Sequence, residues 1–161
     1  MSTIEDDEDE KQSDPLLQEY KMYVQMADNV SARRAQANAF FISVLSALLV
    51  FLSFIAGAEM SELTVSVGYV AISVLGILLC FVWYVNIASY RQLNSGKFKV
   101  IHEMEAKLPF QCYRREWEIL GQGESAKKYL PLTHIERYIP LVLSIPFLLM
   151  LAYGIYSLVA A

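Results

Sequence analysis

Apolar and polar residues come in long blocks along this chain rather than in alternation. Three apolar runs stand out: Ala39 to Ala58, Val65 to Ala88 and Ile139 to Ala161. Each is long enough to cross a bilayer, which takes about 20 apolar helical residues for a ~30 Å hydrocarbon core. A soluble core can hide one such helix, but the polar remainder of this chain is too short to bury three. The pattern predicts an all-α integral membrane protein with three transmembrane helices.

The blocks between the runs have their own periodicity. Residues 1–14 are acidic and lack an apolar repeat, so they are expected to form a disordered acidic tail. Asp14-Pro15 reads as a helix start, an N-cap acid followed by proline in the first turn. From there Leu16, Leu17, Tyr20, Tyr23, Val24, Ala27 and Val30 recur at three- and four-residue steps, the mark of an amphipathic face. No Gly or Pro interrupts the chain from Leu16 to Ala56, so one helix over 15–58 is expected to continue into the first span. The second span covers 65–88. Residues 89–138 form a helical segment, with a break or kink expected at Asn94-Ser95-Gly96, an amphipathic stretch from Phe98 to Leu108 and a short helix around Trp117. Gly121 to Lys128 reads as a polar loop, and Thr133 as a cap for the helix leading into the third span at 139–161.

Charge gives the orientation. Of the 161 residues 55% are hydrophobic and only 19% charged, below the ~25% of soluble domains. The net charge of −4 is concentrated in the acidic tail, which argues against a nucleic-acid binder. All 13 Lys and Arg residues precede the first span or lie between the second and third. Cytoplasmic loops carry the excess of Lys and Arg, which puts the N-terminus in the cytoplasm and the C-terminus outside. Phe40, Phe41, Trp83, Tyr84 and Tyr138 are then expected at the inner interface, and Tyr69, Tyr153 and Tyr156 towards the outer one. Arg33 and Arg34 fall where the first helix would meet lipid headgroups. The acidic N-terminus does not resemble a cleaved signal peptide.

Candidate chemistry is sparse. His102 and Glu105 share a helix face, while His134 and Glu136 lie elsewhere, and no spacing matches a known metal site. Cys112 beside a histidine is the one thinkable nucleophile pair, and Cys80 and Cys112 are expected to be free thiols. No phosphate loop or hydrolase elbow is present. These readings give no catalytic, metal or cofactor residue, no cofactor and no small-molecule substrate, and the chain is expected not to be an enzyme.

Association is better marked. An exposed half-helix with a Tyr and Leu stripe is unstable alone and needs a partner. Leu17, Tyr20, Tyr23, Val24 and Ala27 are therefore candidate oligomer contacts, the alternatives being the chain's own cytoplasmic segment or a lipid surface. In the first span Ala39, Ser43, Ser46, Val50, Ser53 and Gly57 fall on one narrow face. Ser43, Ser46 and Ser53 on that face can serve packing against the protein's own spans, packing against other copies, or the lining of a pore. No span contains Asp, Glu, Lys, Arg or His, unlike most proton pumps and ion-coupled transporters.

Four strings add a resemblance: YKMYVQMADNVSARRAQANAFF from Tyr20, YRQLNSGKFKVIHEMEAKLP from Tyr90, EWEILG from Glu116 and YLPLTHIERYIP from Tyr129. Together they resemble the RipA-like family of small octameric bacterial membrane proteins, over roughly residues 16–140. The resemblance implies a homo-octamer in the bacterial inner membrane and supplies no catalytic residue. The resulting expectation is a structural, scaffolding or stress-related membrane oligomer whose partners are itself and the bilayer. The competing expectation is a channel or membrane-permeabilising pore, such as a phage-defence effector.

Overall fold

The computed structural model of the protein describes residues 15–57, 59–123 and 135–160. The expected acidic tail, the Thr133 cap and most of the Gly121–Lys128 loop lie outside them. Every regular element among the described residues is helical, and none of them is a strand. Helix α1 is described from Pro15 to Gly57, α2 runs Glu62–Glu105, α3 Cys112–Ile119 and α4 Ile139–Ala160. α1, α2 and α4 are each long and apolar enough to cross a membrane. α1 has the expected continuity over 43 residues, ~65 Å at 1.5 Å rise per residue.

The chain divides into two compact units. One, here the polar unit, comprises Met1–Arg33 and Tyr90–Leu132; the other, the apolar unit, comprises Arg34–Ser89 and Thr133–Ala161. α1 and α2 contribute to both.

The core of the apolar unit consists of Phe41, Leu45 and Leu52 of α1, Tyr69, Cys80, Trp83 and Ile87 of α2, and Phe147 of α4. The Phe41 and Trp83 rings stack 5.7 Å apart at 9°. Trp83 is fully buried and its indole N–H donates to Asn38 Oδ1 at 2.8 Å, so its polar atom is satisfied inside the protein. Phe41 and Trp83 are thus packing residues, not the interfacial anchors expected of them. Tyr69 is likewise buried, with its ring 5.9 Å from that of Tyr153.

Local chemistry sets the helix ends. Ser61 caps α2: its hydroxyl lies 2.8 Å from Thr64 Oγ1 and accepts the Thr64 N–H at 3.4 Å, and Glu62 puts an acid in the first turn. Gly121 follows α3 with φ of 70°, a left-handed geometry that glycine adopts without a Cβ clash. The expected break at Asn94-Ser95-Gly96 does not occur, and α2 runs through it. A glycine inside a helix costs only ~1 kcal/mol, and the anchored turns at Ile101 and Glu105 beyond it outweigh that.

Phe147 sits where α4 bears on α2, and a Cβ added at Gly76 would run into its ring. Pro146, just before it, lies inside α4. Gly76→Leu should therefore destabilise the protein by about 1–3 kcal/mol through overpacking. The measurement is thermal unfolding of the detergent-extracted particle; an unchanged midpoint would refute this contact.

Candidate functional site

The best-defined chemical cluster lies in the polar unit, and it is built to hold one carboxylate. α3 has eight residues, none of them buried, and no acid in its first turn. Arg114 and Arg115 lie there instead, where the helix dipole is positive. Such a segment is too short to be stable alone. Its N-cap residue Gln111 makes no side-chain cap bond. Glu105, in the last turn of α2, does that work. Its Oε1 accepts the Tyr113 N–H at 2.8 Å and its Oε2 the Arg114 N–H at 3.3 Å.

The same carboxylate ties in α1. The Tyr20 hydroxyl donates to Glu105 Oε1 at 2.9 Å. His102 Nδ1, one turn back on α2, stands 3.4 Å from Oε2, long for a hydrogen bond. Glu105 is fully buried. Burial alone would raise its pKa, but the Tyr113 N–H, the Tyr20 hydroxyl and the Arg114 N–H together hold it below the usual carboxylate value. Tyr20 shifts the other way. Burial, then the bond to Glu105, push its hydroxyl well above the ordinary tyrosine value, so it stays a proton donor. Tyr113 is raised too, first by burial and then by the charge of Asp28.

Aromatic contacts complete the unit. Phe98 meets Tyr113 edge-on at 5.5 Å, and Lys97 Nζ lies 5.3 Å from the centre of the Tyr23 ring. A cleft of ≈ 500 Å³ between α2 and α3 is lined by Phe98, Lys99, His102, Tyr113 and Trp117, among others. A more open one of ≈ 560 Å³ lies between α1 and α3.

The association candidates of α1 differ in their exposure within one copy. Ala27 is buried, and Tyr20, Tyr23 and Val24 are half-buried, whereas Leu17 is exposed. Of the stripe, Tyr20 bonds Glu105 of α2 and the Tyr23 ring lies against Lys97 of α2. Of the headgroup candidates, Arg33 is exposed, but Arg34 is half-buried with Nε 3.6 Å from Glu136 Oε2. In the apolar unit Ser43, Ser46 and Ser53 are all exposed and do not pack on the protein's own spans. The Ser43 and Ser53 hydroxyls donate back to the Ala39 and Leu49 carbonyls at 2.9 and 3.2 Å.

His102 and Glu105 are brought together as expected, but as part of a structural anchor. Among the described residues no group of three or more His, Cys, Asp or Glu is placed to hold a metal ion. Both cysteines are free, Cys80 buried and Cys112 exposed. His134 lies outside the described residues. Sequence reasoning missed the role of Glu105. Its signal was an acid on the apolar stripe of α2, one turn after Ile101 and shortly before a helix that starts with two arginines.

A family model, the octameric membrane protein family (8xMP), matches residues 17–156. No curated protein and no solved structure matches the chain.

The Glu105 cluster makes the polar unit sensitive to acid. With its folded pKa depressed, the contribution of Glu105 to stability is complete above the ordinary value of 4.5 and is lost as pH falls from there towards the folded value. Tyr20→Phe removes one donor to a buried charge and should cost about 1.5–3 kcal/mol. Denaturation of wild type and variant between pH 7 and pH 3 checks both; equal stability at pH 7, or no acid loss in the wild type, would contradict this account.

Proposed function

Because the chain belongs to the octameric membrane protein family, we propose that it is a non-enzymatic homo-octameric scaffold of the bacterial inner membrane. It is a multi-pass membrane oligomer, and its polar units face the cytoplasm in this reading, since Lys and Arg are confined to the segments that would lie there. The observation that carries the proposal is how the polar unit uses its reactive groups. Glu105 and Tyr20 are engaged in holding α1, α2 and α3 together. They tie the unit into one piece that an assembly can display. The surface of the apolar unit agrees with assembly. Within the most apolar stretches of α1, α2 and α4 only 17%, 33% and 11% is buried in one copy.

The exposed serine face of α1 favours a second reading, a pore. Against it, Ser43 and Ser53 satisfy their hydroxyls on their own helix and need no water. No charged residue in any span supplies a selectivity ring.

The purified particle tests both readings. Its native mass should equal eight chains, and it should give no steady conductance in planar bilayers. A monomeric mass would overturn the scaffold. Reproducible unit conductance that Ser46→Leu abolishes would put the pore in its place.

A further inference from the structure

The cleft between α2 and α3 lies wholly within the polar unit, beside the Glu105 anchor. α2 lines it with Phe98, Lys99 and His102, and α3 with Tyr113, Glu116 and Trp117. Each set spans about one turn, so one face of each helix borders the gap. The volume of ≈ 500 Å³ falls within the range of about 300–1,000 Å³ that small-molecule sites occupy. Phe98, Tyr113 and Trp117 supply aromatic walls, and the first two meet edge-on at 5.5 Å.

Charge decides which ligand suits these walls. The Tyr113 end is negative: burial raises the pKa of the tyrosine hydroxyl, and the charges of Asp28, Glu116 and Glu105 raise it further. The arginines of α3 do not offset this, because Arg114 and Arg115 both lie against Glu118. Glu116 is exposed and forms no ion pair among the described residues, with Lys99 or any other base. Lys99 lies on the opposite wall, exposed on a flexible four-carbon stem that leaves its ammonium to water. His102 turns Nδ1 towards Glu105 Oε2 at 3.4 Å, so a proton gained there is countered by that carboxylate. Aromatic ring faces add further negative potential. The unit already uses this contact once, where Lys97 Nζ stands 5.3 Å from the centre of the Tyr23 ring.

We propose that this cleft binds a small organic ammonium ion, its cationic group at the Glu116 carboxylate and its apolar body against Phe98, Tyr113 and Trp117. An ammonium that carries methyl or aromatic groups is weakly hydrated, so it gains from ring faces and a nearby carboxylate together. An anion would meet the charges of Glu116, Glu105 and Asp28 with Lys99 alone on its side. The inference goes beyond the scaffold reading and does not depend on it, because one copy contains the whole cleft.

The test is calorimetric titration of the full chain, in a non-ionic maltoside detergent, with benzyltrimethylammonium, and in parallel with neutral benzyl alcohol and anionic phenylacetate. The ammonium should bind saturably, one per chain, and several-fold more tightly than either control. Glu116→Gln and Trp117→Leu should each weaken it several-fold. Lys99→Ala, on the facing wall, should leave it unchanged or tighten it, an electrostatic response that loss of fold would not produce. Absence of saturable binding, or equal binding by wild type and both α3 variants, overturns the site. Equal affinity for benzyl alcohol overturns the role of charge. Tighter binding of phenylacetate, weakened by Lys99→Ala, shows an anion site and overturns the proposal as well.

Discussion

One buried carboxylate organises the polar unit. Glu105 lies where three helices meet and replaces its lost hydration with the Tyr20 hydroxyl and two backbone N–H groups. Taking an ionised carboxylate out of water without such donors costs several kcal/mol, so the donors and the charge require each other. α3 shows the dependence most clearly. It has no buried side chain and no acid of its own at its N-terminus, and the anion that favours it comes from α2. Tyr20 extends the same arrangement to α1, which turns an otherwise exposed aromatic stripe into an internal surface.

The apolar unit rests on a different principle. Its core is a stack of large side chains, with Trp83 fully buried and bonded to Asn38, and with Gly76 giving way to the Phe147 ring. That core uses one side of each helix. What remains outside is largely apolar on α2 and α4, while α1 exposes Ser43, Ser46 and Ser53 together with Phe40, Phe51 and Phe54.

The architecture was largely legible in the sequence. Unbroken apolar runs mark the spans, and the absence of Gly and Pro from Leu16 to Ala56 marks the continuity of α1. Both follow from local rules of length and periodicity. Features that depend on tertiary contact were not legible. Asn94-Ser95-Gly96 has the composition of a break, yet α2 stays helical through it, with Ile101 packed and Glu105 bonded beyond. Phe41 and Trp83 have the composition of an aromatic belt, yet they stack on each other inside the unit. The stripe from Tyr20 to Ala27 was legible as a surface needing a cover. Which cover it received depends on Glu105 and Lys97, more than 70 residues away in the chain.

Hydrogen–deuterium exchange in Glu105→Ala tests the organising role of this carboxylate most directly, because the amides it caps report on it residue by residue. With the carboxylate gone, the amides of Cys112–Ile119 should lose protection, while those of the apolar core around Leu45, Trp83 and Phe147 keep theirs. Unchanged protection across Cys112–Ile119 would show that α3 stands without Glu105 and would contradict the account.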